Sequence, residues 1–195
     1  MHKLTIILLL FIQLSICSKD FIVSQSEQSF LKFSPDECYY YHGMSVKVKS
    51  NDDKPTFTFY ESSDCSGSSI EESSKTSPLI TLMNNVKQFS NYQDSPNYIG
   101  TIAFHDEKHC PNTKNIVREY FNGNCKVEHY GSRKYEITSD NLFVSKIFRD
   151  HICNSVSDTR ALCRCDTCTN NVSCTCGSDS LLIISFIGLI LFFFF

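Results

Sequence analysis

The chain has 195 residues, with 18 basic and 21 acidic side chains and a net charge of −3. That balance, without a basic stripe, excludes a partner held by phosphate contacts, so no nucleic acid is expected. Whether the eleven cysteines pair depends on the compartment, which the two ends of the chain indicate.

Met1-His2-Lys3 precedes an apolar run from Leu4 to Ile16, which turns polar at Ser18-Lys19-Asp20. A basic start, an apolar core too short to span a bilayer and a small-residue exit make a signal peptide, assigned to residues 1–17. Cleavage after Cys17 or after Ser18 removes Cys17 in either case.

Residues 18–160 read as a β-rich extracellular domain, because Phe, Tyr, Ile, Val, Thr and Ser dominate and helix-period runs are few. Expected strands are Phe21 to Ser24, Ser45 to Lys49, Thr56 to Phe59, Tyr98 to Phe104, Asn115 to Phe121, Lys134 to Thr138 and Leu142 to Phe148. Asn51-Asp52-Asp53-Lys54-Pro55 has turn chemistry and predicts a hairpin between the second and third. The fold class expected is mostly β: a small disulfide-stapled sandwich or barrel-like domain with a cysteine-rich C-terminal segment. The aromatic run Tyr39-Tyr40-Tyr41-His42 reads as strand packing ahead of a contact patch. Tyr60 to Cys65 and Tyr120 to Cys125 share the pattern Tyr, three residues, Asp or Asn, Cys. A duplicated half-domain produces such a pattern, and so do two independent hairpins. Glu61 to Ser77 is serine-rich and reads as a surface loop. The pattern loosens again from Asn154 to Arg160, which places the end of the body there.

If Cys17 leaves with the leader, ten cysteines remain: Cys38, Cys65, Cys110, Cys125 and Cys153 in the body, and Cys163, Cys165, Cys168, Cys174 and Cys176 in a crowded segment at 161–176. An even number in an exported chain predicts a disulfide framework. Both groups are odd, so complete pairing requires a bridge between them, and the segment is expected to dock on the body. Connectivity does not follow from sequence.

His105-Asp106-Glu107-Lys108-His109 sets two histidines at zinc-ligand spacing, the basis for an alternative reading as a zinc-dependent surface hydrolase using His105 and His109. The residue after the first His is Asp106 where the metalloprotease pattern has Glu, and Cys110-Pro111 ends any helix at once. A second alternative is thiolate metal binding by Cys163 to Cys176. Neither displaces the expectation of a non-enzymatic protein with no cofactor, no catalytic residue and no bound metal. Asn171-Val172-Ser173 is an N-glycosylation sequon, making Asn171 a glycan acceptor.

Leu181 to Phe195 is an apolar block without a basic residue after it. A stop-transfer helix needs roughly 20 apolar residues and a positive flank. Small residues, a polar spacer and an apolar tail instead form a GPI signal, so residues 177–195 are assigned to an attachment tail removed in the mature protein. A spacer of about 8 to 12 residues favours attachment at Asn171, with Ser173 and Gly177 as alternatives. Cleavage after Asn171 leaves eight cysteines, and cleavage after Gly177 leaves ten. The functional expectation is a disulfide-rich protein held by a GPI anchor on the outer leaflet of the plasma membrane. There it would serve adhesion, recognition or coat, with an extracellular protein or glycan as ligand.

Overall fold

The computed structural model describes residues 20–51, 54–70, 81–82, 84–86, 90–92, 96–105, 110 and 115–177. The leader, His109 and residues 178–195 lie outside them. The chain is mostly β. Its strands are β1 (Phe21–Ser24), β2 (Ser29–Phe33), β3 (Cys38–Tyr41), β4 (Met44–Asn51), β5 (Lys54–Tyr60), β6 (Ser90–Tyr92) and β7 (Gly100–Phe104). They continue as β8 (Arg118–Phe121), β9 (Lys126–Glu128), β10 (Gly131–Ile137), β11 (Leu142–Phe148), β12 (Val156–Arg164), β13 (Thr167–Thr169) and β14 (Val172–Cys176). All seven strands expected from the sequence fall in this set. The hairpin expected around 51–55 is β4–β5, with Val46 opposite Phe59 and Val48 opposite Phe57. Its alternation works as written: Val46 and Val48 are buried, while Lys47 and Lys49 alternate with them outside the core.

Three sheets form. A seven-stranded sheet has the order β13-β14-β7-β8-β2-β1-β6, a four-stranded sheet β12-β11-β10-β9, and a three-stranded sheet β3-β4-β5. Directly opposed residues share a face, so the ladders set Phe21, Val23, Leu31, Phe33, Phe121, Ile102 and Cys174 on one side of the large sheet. Both smaller sheets pack on that side. Val46, Val48 and Phe59 join Phe21, Val23, Leu31 and Phe33 in one core, with Leu82, Val86 and Val117 closing its edge. Phe143, flanked by Tyr135 and Ile137, joins Ile102, Phe121 and Cys174 in a second. Fully burying a side chain the size of Phe33 or Phe143 contributes about 1.5–3 kcal/mol, so the two aromatic centres anchor their layers.

The strands repeat one arrangement twice. Each copy is a hairpin in the large sheet (β1–β2, β7–β8) followed by a three-stranded meander (β3-β4-β5, β9-β10-β11). A bridge closes each meander, Cys38–Cys65 in one copy and Cys125–Cys153 in the other, with separations of 27 and 28 residues. In each copy a buried serine stands at the same spacing from the first cysteine, Ser45 after Cys38 and Ser132 after Cys125. Ser45 Oγ accepts from the Cys65 N–H at 2.8 Å and donates to the Ser62 carbonyl at 2.8 Å. Ser132 Oγ accepts from the Cys153 N–H at 3.1 Å and donates to the Asp150 carbonyl at 2.7 Å. The second cysteines also match in backbone, with φ of 58° at Cys65 and 56° at Cys153. Along the large sheet, β14-β7-β8 mirrors β6-β1-β2 about the antiparallel β8–β2 pair. That is a local two-fold axis normal to the sheet, and it accounts for both meanders lying on one face.

The repeat thus runs in a different register from the one suggested by Tyr60 to Cys65 and Tyr120 to Cys125. Tyr60 ends β5 of one meander, whereas Tyr120 lies in a hairpin strand of the large sheet. Asn154 to Arg160 also differs from expectation, because β12 begins at Val156 and the position between 160 and 161 falls inside it. Every residue from Val156 to Leu162 is exposed, so no core-facing alternation marks the strand in sequence.

The buried serines and the loop after β11 yield two tests. Ser45→Ala and Ser132→Ala each leave a half-buried cysteine N–H without its acceptor and are each expected to lower unfolding free energy by about 1–3 kcal/mol. Denaturant titration with the bridges intact measures it, and a loss below about 0.5 kcal/mol would make the hydroxyls incidental. The Asp150 carboxylate is held below the usual range first by the Asn154 N–H, with the Ile152 and Ser155 N–H groups adding to it. Its folded-state affinity for a proton is lowered, so its contribution is complete above the unfolded value of about 3.9 and is lost as pH falls through the folded value. Protection of the Ile152, Asn154 and Ser155 amides, measured as exchange relative to the unfolded chain at the same pH, is therefore expected to fall below about pH 4 in the wild type, and to be reduced already at neutral pH in Asp150→Asn.

Candidate functional site at the C-terminal hairpin

The crowded cysteines lie on β12, β13, β14 and the turn between the first two. The β13–β14 hairpin turns at Asn170 and Asn171, whose φ values are 51° and 69°. A two-residue hairpin loop with both central residues in this region suits asparagine, whose short polar side chain tolerates it. The sequon thus straddles the turn, with Asn171 in it and Ser173 on β14.

β14 is an interior strand. It pairs with β13 on one side and β7 on the other, with Val172 opposite Phe104, Cys174 opposite Ile102 and Cys176 opposite Gly100. Two bridges fasten it to the end of β12, Cys163–Cys174 and Cys165–Cys176. Cys110–Cys168 ties β13 to the chain after β7 and links the crowded segment to the body. Cys174 and Cys165 are buried. All ten cysteines among the described residues are bridged. A bridged sulfur is no thiolate, so Cys163 to Cys176 offer no soft-metal site in this state. Gly177 continues from β14, its N–H donating to the Ile99 carbonyl at 2.8 Å.

His105 is 7% exposed, in contrast to the solvated turn that its polar neighbours suggest. Its backbone N–H donates to the Asn171 carbonyl at 2.7 Å, and its Nε2 lies 2.8 Å from Ser173 Oγ. The histidine therefore locks the turn and β14 onto the end of β7. A hydroxyl beside an imidazole is also the geometry of a nucleophile and its base, which needs an orienting group and an adjacent donor pair for a developing oxyanion. Among the described residues, no group of three or more His, Cys, Asp or Glu is placed to hold a metal. Among them, too, no helix is long and apolar enough to cross a membrane.

The tyrosine run divides its work. Tyr39 meets Phe33 edge-on at 5.1 Å, and its hydroxyl accepts from the Ser34 N–H at 2.7 Å. The Tyr40 hydroxyl accepts from the Gly43 N–H at 3.0 Å. Tyr41 lines a small cleft with Leu31, Leu82, Phe104, Val117 and Glu119. Its pKa is raised, first by burial and then by the Glu119 charge. Strand packing is thus the main role of this run. No signal in the sequence joins Tyr41 to Glu119, which lie in different sheets and meet where the two sheets face each other, next to the isolated Tyr40–Ile116 bridge. The serine clasp did leave a signal, the shared Cys-to-Ser spacing.

Comparison with protein families, curated proteins and solved structures returned no match to this chain.

Without reductant, denatured protein is expected to take up no thiol alkylating agent, and label on any of Cys163, Cys165, Cys168, Cys174 or Cys176 would contradict the bridging. His105→Ala is expected to cost about 1–3 kcal/mol by removing the partner of Ser173, measured by thermal or denaturant unfolding.

Proposed function

We propose that the chain is a non-enzymatic, disulfide-rich protein displayed on the outer leaflet of the plasma membrane by a GPI anchor, where it acts in adhesion, recognition or as coat. The carrying observation is that all ten cysteines among the described residues are used in five bridges, two of which fasten the strand ending at Cys176. Such stapling suits an oxidising extracellular setting. Anchoring is supported by the apolar leader and the tail from Leu181 to Phe195. A hydrolase built on His105 and His109 has less behind it, since His105 Nε2 is already engaged by Ser173.

Within this reading, attachment at Gly177 or Ser178 is better supported than at Asn171 or Ser173. The spacer length favours Asn171. A cut there deletes β14, strips Cys163 and Cys165 of their partners and bares the β7 ladder. Each lost native bridge in a small secreted domain costs about 2–5 kcal/mol, which outweighs a soft preference for spacer length. A cut after Cys176 also leaves Asn171 for a glycan.

Phosphatidylinositol-specific phospholipase should release the protein from intact cells, with a C-terminal peptide ending at Gly177 or Ser178 and a glycosidase-sensitive mass on Asn171. Retention in the membrane together with Phe195 in the mature mass would reject the anchor. A C-terminal peptide ending at Asn171 would reject its placement.

A further inference from the structure

We infer that β12 is the strand through which two copies of this chain pair, edge to edge and antiparallel, about a two-fold axis at Thr159. β12 is nine residues long and closes one end of the four-stranded sheet, with β11 as its only ladder partner among the described residues. Its side chains from Val156 to Leu162 are all exposed, so nothing it buries explains why it is extended. Two irregularities of register, beside Val156 and Cys163, bracket a regular stretch in which Asp158, Thr159, Arg160 and Ala161 face Ile147, Lys146, Ser145 and Val144. A strand of this kind presents a row of backbone donors and acceptors to another chain.

The sequence around Thr159 selects the occupant. In an antiparallel pair centred there, Asp158 meets Arg160 of the second copy on both sides of the axis, and Thr159 meets itself. Within one chain Asp158 and Arg160 already form a 2.9 Å ion pair with side chains 49% and 69% exposed, so pairing two copies gathers four alternating charges. Charges and bulges on an edge deter foreign strands. Here the charges are of both signs and palindromic in order, so they repel most strands and match their own. An isologous two-fold contact is the commonest form of self-association.

The pairing does not need the anchor and is tested apart from it. The full chain is expressed in eukaryotic cells and taken into mild detergent, with the native bridges verified by peptide mapping. Thr159→Cys places its thiol on the axis, with Cβ atoms about 4.5–5.5 Å apart, and is expected to give a reducible covalent dimer on mild oxidation. Ser157→Cys places the two thiols roughly 13 Å apart along the strands and is expected to give none. Adding Asp158→Arg sets like charges opposite each other and should reduce the Thr159→Cys dimer by roughly tenfold or more. Adding Arg160→Asp as well should restore it. Equal cross-linking through Ser157→Cys, a dimer indifferent to Asp158→Arg, or a monomer under every condition would overturn the inference.

Discussion

The antiparallel contact between β2 and β8 is the constraint on which the architecture depends. Ser29 faces Phe121, Phe30 faces Tyr120 and Leu31 faces Glu119 across it. It joins the two copies at the centre of a single sheet, and the axis it creates is normal to that sheet. Both meanders are therefore delivered to the same face, where Phe33 and Phe143 fill one core each. On the opposite face the same contact stacks Phe30 on Tyr120, with ring centroids 5.2 Å apart. Had the copies met through any pair of inequivalent strands, no such axis would arise.

The axis is local, and the ends of the chain break it. β5 of the first meander is met by a short bridge from Ser69, with the Ile70 N–H on the Phe59 carbonyl at 2.8 Å. Its counterpart β11 is covered instead by the whole of β12. The chain then returns as β13 and β14 to extend the large sheet beyond β7, and every bridge without a counterpart in the first copy lies there. The repeated parts hold the fold, and the parts that differ between copies carry the features on which the proposed display and pairing rest.

Much of the β framework was legible because half-buried strands alternate, as in Ser45 to Lys49 and Thr56 to Phe59. Short strands such as β9 and β13 carry too few residues for a period to register. β12 was hidden for another reason: with both sides exposed, Val156 to Leu162 has no apolar rhythm to read. The repeat was obscured because what recurs is a geometry, a cysteine clasp over one serine hydroxyl, and not a run of identical residues. The Tyr60 and Tyr120 strings resemble each other more closely in letters while occupying unrelated places. At the C-terminal hairpin, the odd number of cysteines in each group foretold a link between them, yet no rule of spacing selects Cys110 and Cys168 as that link. The burial of His105 was equally hidden, since its polar neighbours Asp106 to Lys108 suggest solvent and its partner Ser173 is supplied by a distant strand.

The fastening of β14 also has a mechanical side. Tension applied to the chain beyond Gly177 meets the Gly177–Ile99 hydrogen bond and then Cys176, where the Cys165–Cys176 bridge passes it to the end of β12. The Cys163–Cys174 bridge two residues earlier shares the load, and Cys110–Cys168 carries part of it into the body. Hydrogen-bonded strands pulled from one end would unzip pair by pair. Here covalent cross-ties take the strain before the ladders with β7 and β13 are loaded, so a pull from the C-terminus is borne by the molecule as a whole.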